Sequence, residues 1–416
     1  MPVIRRSATL DVKLQGVSLP YVLAAEWSGG FDRPYNEARV TLSRLPLGFD
    51  MDQTLEIIAG NGTVHTRRFI GLARNPDYDL NGRIVINGVS TLEKVYNYEN
   101  SEDPSQSGGL FLEDLLGGAT QGTDEEVVRA VLARILSEGS DFTFGNIEGT
   151  GVTWRTHSET DTGDAYLWAS GDSPNGIPES QSAGEKALSY IYRWDAVSAV
   201  HPGPFQPAGT EEGNSPGAIT APVGFYRTYQ TLNGTIRRAL IGGRPRGSQL
   251  FTFTEGVDIR RGRITRGYPI ANRFIAIGYD DGKDVGPARF VMQSSNPYMG
   301  SGRKVTAPPV SSPMIEKTAE NDWVGGMSCE KIAYALEPEF NRIIVTGDFT
   351  TGRDDYISHG ATLLILAGPP LGHLGTGENV WVRGSSGRVD SSGFSQTFNI
   401  LGGGVPDNFI PPVPQT

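Results

Sequence analysis

Short apolar runs cut by glycine and proline dominate this chain, and they constrain it to strands joined by tight turns. Near the end it reads Leu363-Leu364-Ile365-Leu366, then Asn379-Val380-Trp381-Val382, then Phe394-Ser395-Gln396-Thr397-Phe398-Asn399-Ile400-Leu401. The same pattern opens the chain in Leu10-Asp11-Val12-Lys13-Leu14, Val40-Thr41-Leu42, Leu55-Glu56-Ile57-Ile58, Arg68-Phe69-Ile70-Gly71 and Arg83-Ile84-Val85-Ile86. Turn residues every ten or so positions between such runs are the grammar of a barrel or sandwich. With 54 glycines and 27 prolines among 416 residues, and no collagen period, the composition supports many turns between short strands. Two β modules are therefore expected to bracket a more mixed middle.

The first module is expected over 1–98, closed by a polar connector from Glu99 through Gly109. A mixed α/β insertion follows over 99–222, with helices near 123–138 and 182–194. Thr123 and Glu126 have capping-box spacing, and Val127, Val128, Val131, Leu132, Ile135 and Leu136 form a helical stripe that Gly139 stops. Ser182 and Glu185 repeat the box ahead of Ala187, Leu188, Ile191 and Tyr192. The second β module is expected over 223–402, with an insertion at about 282–340 holding a helix from Ser328 to before Pro338. Residues 403–416 form a proline-rich C-terminal tail.

The basic start Met1-Pro2-Val3-Ile4-Arg5-Arg6 lacks the apolar core of a secretory signal, and no membrane segment is expected. The lone Cys329 excludes an internal disulfide framework and reads as a buried small residue. His65, His157, His201, His359 and His373 show no metal-ligand spacing, so neither metal nor cofactor is expected.

Candidate catalytic patterns are weak. Ser328-Cys329-Glu330-Lys331 has the Ser-x-x-Lys spacing of penicillin-recognising enzymes but lacks their other motifs, and Ser328 reads as a helix cap. Gly372 to Gly377 has no phosphate-loop order and reads as a turn. The carboxylate pairs Glu113-Asp114, Asp280-Asp281 and Asp354-Asp355 have the residue type a glycan hydrolase needs, though adjacent acids usually point apart into solvent. A carbohydrate-binding module is a further alternative, requiring exposed Trp154, Trp168 or Trp323.

Charge is the one feature above background. The chain carries −11 overall, which disfavours nucleic-acid binding by the whole surface. Between Arg227 and Arg273, however, ten arginines face only Glu255 and Asp258, a local +8. Arg237, Arg238, Arg260, Arg261 and Arg263 are expected at contacts with another subunit or partner rather than on a channel wall, because a basic cluster repels itself unless it meets acid.

The order of pieces resembles phage tail hub proteins: the baseplate hub of contractile tails, the late control protein family and the hub portion of type VI secretion spikes. The stretches that carry it are Arg68-Phe69-Ile70-Gly71 leading to Val85-Ile86-Asn87-Gly88-Val89-Ser90-Thr91-Leu92, and Glu185-Lys186-Ala187-Leu188-Ser189-Tyr190-Ile191. Asn272 to Gly278, Ile332 to Leu336 and Gly368-Pro369-Pro370-Leu371 before the closing strands complete the set. The resemblance implies a mainly β fold with minor α, two tail-tube-like β-barrels carrying inserted α/β segments, and a homotrimer of non-enzymatic virion subunits. Such a hub joins the hexameric tail tube or a distal tail protein to a trimeric spike or central fibre. It forms part of the DNA channel, passing genomic DNA without specific binding, in a tail tip assembled in the host cytoplasm. No lysozyme-like domain or β-helical needle follows Leu401, so the spike is expected to be a separate protein.

Overall fold

The structure is a computed structural model. It describes residues 8–30, 35–62, 66–78, 82–98, 109–110, 112–119, 121–149, 153–155, 168–169, 186–200, 224–231, 234–242, 251–267, 271–277, 289–294, 302–307, 309–311, 329, 333, 344–355, 357, 359–366 and 378–403. The fold is mainly β. The first unit contains β1 (Ala8–Leu14), β2 (Val17–Ser18), β3 (Val22–Gly30), β4 (Glu37–Leu42), β5 (Thr54–Asn61), β6 (Thr66–Tyr78) and β7 (Ile84–Val89). Its alternating residues Val12, Val40, Leu42, Leu55, Ile57, Phe69 and Ile86 share one core, as a half-buried sheet requires. The β1–β2 turn is made by Gln15 and Gly16, both at positive φ, which suits the twist of a two-residue hairpin.

The middle of the chain gives α1 (Leu92–Asn97), β8 (Gly109–Leu110), α2 (Leu112–Leu115), β9 (Gln121–Thr123), α3 (Asp124–Ser137), β10 (Thr143–Ile147), β11 (Thr153–Arg155), β12 (Trp168–Ala169), α4 (Ala187–Val200), β13 (Gly224–Gln230) and β14 (Thr235–Gly242). The Thr123–Glu126 capping box forms: the Glu126 N–H donates to Thr123 Oγ1 at 3.3 Å, and the Thr123 N–H donates to Glu126 Oε2 at 2.8 Å. Helix α4 runs on to Val200, beyond the expected end at 194. Its expected cap at Ser182 and Glu185 lies outside the described residues.

The remainder gives β15 (Phe251–Thr254), β16 (Ile259–Gly267), β17 (Arg273–Ile277), β18 (Arg289–Gln293), β19 (Val310–Ser311), β20 (Ile344–Thr351), β21 (Thr362–Leu366), β22 (Glu378–Asp390) and β23 (Gly393–Gly403). The second core holds Phe253, Phe349, Leu363, Ile365, Val380, Val382, Phe398 and Ile400. Phe253, Phe349 and Phe398 pack with ring centroids 5.0 to 6.0 Å apart.

One boundary shifts from the sequence reading. β13, β14 and β17, grouped there with the second β module, are built elsewhere: Ile236, Phe274 and Ala276 share the middle core with α1, α3 and α4. Cys329, Ala333 and Ala307 join the same core. Two chain excursions thus meet in one middle unit, and the strands of the second β unit begin at Phe251. A strand propensity alone does not say which sheet a strand enters, because the partner is chosen by packing.

The two β units are one sheet. Strand order runs β16-β20-β23-β22-β3-β4-β7-β6-β5-β1-β2, with β15 and β21 attached through β22. Strand β22 serves both units: Glu378 to Trp381 pair with β21, whereas Gly384 to Val389 pair with β3. The β22–β23 hairpin tip also changes core, since Val389 and Phe394 are buried among first-unit residues while Val380, Val382, Phe398 and Ile400 fill the second. The strand continues well past the apolar run Asn379–Val382, through Gly384-Ser385-Ser386-Gly387 to Asp390. The glycines are demanded by contact: a Cβ on Gly387 would sit 2.2 Å from Trp27 Cζ2, and one on Gly384 2.9 Å from the Gly29 carbonyl oxygen.

Replacing Phe394 with Ala removes a ring that packs 6.1 Å from Trp27 and under the Arg68 guanidinium. A loss of about 3–5 kcal/mol is expected, and urea unfolding followed by probes in either β unit shifts by the same amount. A shift confined to first-unit probes contradicts the shared-hairpin description.

Candidate functional site

The arginine-rich segment is sorted by strand alternation. On β14, Arg237 is exposed whereas Arg238, one residue on, is fully buried on the face of Ile236. Arg238 Nε donates to Asp195 Oδ1 at 2.6 Å, and Nη1 donates to Asp124 Oδ2 and to the Glu148 carbonyl, each at 2.7 Å. Asp195 Oδ2 accepts the Thr228 N–H at 2.8 Å. Burial pulls the guanidinium pKa down, but the facing Asp195 and Asp124 carboxylates outweigh it and hold the group above its ordinary value. The expectation that Arg238 meets another subunit is therefore corrected: its charge is used inside the middle unit, tying α3, α4 and β14 together. The period-two pattern of Ile236 and Arg238 is the signal that separates it from Arg237.

Arg260, Arg261 and Arg263 stand exposed on β16, which ends the large sheet. Arg261 lies opposite Thr350 and Arg263 opposite Asp348 on β20. That row continues across the sheet through Thr397, Ser386, Ser28 and Glu37, all on the face away from the cores. Thr350 Oγ1 and Thr397 Oγ1 are 2.9 Å apart. Over β3, β4, β7 and β22 the same face forms an open trough of about 530 Å³, bordered by Glu26, Glu37, Arg39, Asn87 and Arg388. Arg388 pairs with Glu26 at 3.3 Å and with Asp390 at 2.6 Å. Arg260 instead lies against Gly352 and borders a second hollow beside Asp258, Arg353, Asp354 and Asp355.

The junction between the β units is held by buried polar groups. Arg68 on β6 is 2% exposed. Its Nη1 donates to the Asp355 carbonyl at 3.0 Å and to Gln396 Oε1 at 3.2 Å, and its Nη2 donates to the Asp354 carbonyl at 2.5 Å. His359 is buried beside Gly29 with Nε2 3.0 Å from Ser385 Oγ. Burial pushes its pKa down from 6.5 to about 4.

Other sequence candidates resolve as structure. Asp354 Oδ2 accepts the Asn61 N–H at 2.9 Å, and Asp355 pairs with Arg353 at 2.6 Å, so this acid pair fastens a loop. Glu113 and Asp114 lie on the short α2. Trp168 is fully buried and stacked 5.5 Å from Tyr190, which removes it as a carbohydrate platform. Cys329 is buried as expected. Ser328, Lys331, Gly372 to Gly377, Asp280, Asp281, Trp323, the Trp154 side chain and the four other histidines lie outside what is described. Among the described residues no three His, Cys, Asp or Glu side chains gather as a metal would need, and no helix is long and apolar enough to cross a membrane.

No family model matches the sequence, and no curated protein matches it. Solved structures do share the fold. A tail protein from Neisseria meningitidis aligns with TM-score 0.56 at 9% identity, over 95% of this chain and 96% of that one. The 43 kDa tail protein of prophage MuSo2 from Shewanella oneidensis aligns with TM-score 0.53 at 10% identity, over 95% and 98%. The fold is that of these tail proteins along nearly the whole chain, which accords with the resemblance read from the sequence.

Two outcomes follow from the buried charges. Below pH 6.5 the unfolded chain protonates His359 while the folded chain resists until about pH 4. Stability is therefore full above the unfolded pKa and falls between those limits, by about 3 kcal/mol. Urea titrations across pH 4–7 should show a flatter profile for His359→Gln than for the parent; matching profiles contradict the assignment. Replacing Arg238 with Ala leaves Asp124 and Asp195 facing each other in the core, and a loss of about 3–5 kcal/mol is expected. Unchanged thermal unfolding of that variant contradicts the network.

Proposed function

We propose that this chain is the structural hub of a phage tail tip or baseplate, acting as a homotrimer without catalytic function. The observation that carries the reading is the single sheet through which β22 joins two β units in one chain. Two tail-tube-like units per chain, three chains around an axis, offer six similar units to a hexameric tail tube on one side while keeping threefold symmetry for a spike or fibre on the other. The shared fold with two tail proteins supports this placement.

A joint between rings of different symmetry must transmit force without flexing. Arg68, His359 and the β22–β23 hairpin lock the units at that joint. The overall charge of −11 favours passage of genomic DNA through a trimeric ring without retention. Arg237, Arg260, Arg261 and Arg263 are the candidate contacts with neighbours, since guanidinium groups pair well with carboxylates at interfaces. The virion tail is then the protein's location, after assembly in the host cytoplasm.

Light scattering on the purified full chain tests the reading. A mass three times the 44.8 kDa of one chain is expected, with threefold particles in electron micrographs. A single-chain mass at every concentration, also in the presence of tail-tube protein, contradicts it.

A further inference from the structure

We propose that β16 is an open docking strand that takes an extended acidic segment from a different polypeptide by strand addition. This rests on the reading of the chain as an assembly component and names the chemistry of one neighbour. Among the described residues β16 is laddered to β20 alone, through eight of its nine residues, and on its other side only Ile259 is bridged, to Glu255, which leaves the edge from Arg260 to Gly267 open. Free edges are normally blunted by proline, short length, bulges or charged side chains, and the arginines of β16 repel a like-charged strand while admitting an acidic one. β16 has no proline or lysine, and its register irregularity is confined to the start, between Ile259 and Arg261.

The strand is also held ready. Gly262 and Gly347 let β16 and β20 approach closely: a Cβ on Gly347 would fall 2.0 Å from the Arg263 carbonyl oxygen, and one on Gly262 2.9 Å from Phe349 Cβ. Phe349 is fully buried behind them. A strand fixed from behind loses little freedom when its open side is paired, which favours main-chain addition.

Charge selects the occupant. β16 carries Arg260, Arg261, Arg263 and Arg266 and no acidic residue. Among the described residues Arg261 and Arg263 make no ion pair. Their side chains flank the open edge, where an incoming Glu or Asp beside each would form a cross-strand pair. The described edge strands of a second copy do not offer this chemistry. The other strands that end described sheets, β2, β8 to β13, β15, β18 and β19, contain no acidic residue, and β11, β13 and β18 each carry an arginine, so copy would meet copy with like or no charge. The fitting partner is a separate acidic chain that is extended where it docks.

The test uses the full chain and a fluorescein-labelled short peptide alternating Thr and Glu, followed by fluorescence anisotropy at low salt and by hydrogen exchange. Binding is expected, with slowed exchange of amides within Ile259–Gly267. About tenfold weaker binding is expected for Arg261→Glu/Arg263→Glu and for Arg261→Gln/Arg263→Gln. A peptide N-methylated at alternate residues keeps its charge but cannot join a ladder, and it should also bind about tenfold less well. Equal binding of the methylated peptide, slowed exchange elsewhere than β16, no binding at millimolar peptide, or tighter binding of a short DNA duplex each overturns the proposal. A trimer that ignores the peptide overturns the docking strand and leaves the hub reading intact; a monomer that binds it does the reverse.

Discussion

Strand β22 is the constraint on which the rest of the molecule depends. One continuous strand is hydrogen-bonded to β21 in one unit and to β3 in the other, with β23 along most of its length. A flexible linker between two domains permits hinge motion by default. Here relative motion of the units would have to break a ladder and withdraw Val389 and Phe394 from a filled core. The polar groups at the seam then become intelligible. Arg68 spends its donors on backbone carbonyls of the loop after β20 and on Gln396, so that a first-unit side chain fixes second-unit main chain.

The middle unit has its own organising charge. Arg238 with Asp124 and Asp195 joins a strand and two helices that are far apart in sequence. Replacing such a network by well-packed apolar groups is often neutral or stabilising, so its contribution is better sought in specificity than in stability. In this chain it fixes which face of β14 lies against α3 and α4. Two excursions meet in that core, and Gln230 ties it to the first β unit through Asn36 and Ile70.

Much of this was legible from residues. The apolar alternation of the first unit, the Thr123–Glu126 box and the closing strands stand where periodicity placed them. What escaped was pairing across long separations. Gly384-Ser385-Ser386-Gly387 reads as a loop by composition, yet it is strand interior paired with β3 and β23, and its two glycines stand where Gly29 and Trp27 leave no room for a Cβ. Arg238 reads as surface charge because most arginines are, and only its place one residue after Arg237 on a strand hinted otherwise. β13, β14 and β17 have ordinary strand patterns that carry no label for the sheet they enter. The arginines of β16 were visible as a cluster, whereas their position on an open edge is a property of topology.

The central claim is that the two β units form one body through β22, and native-state hydrogen exchange of its amides tests that most directly. Amides from Gly384 to Val389, at the seam with β3, should exchange only with global unfolding, at the same free energy as those of Val40 and Ile57 in the first core and Ile400 in the second. Exchange of the seam amides through a smaller opening, while both cores remain protected, would show two domains merely in contact and would contradict the account.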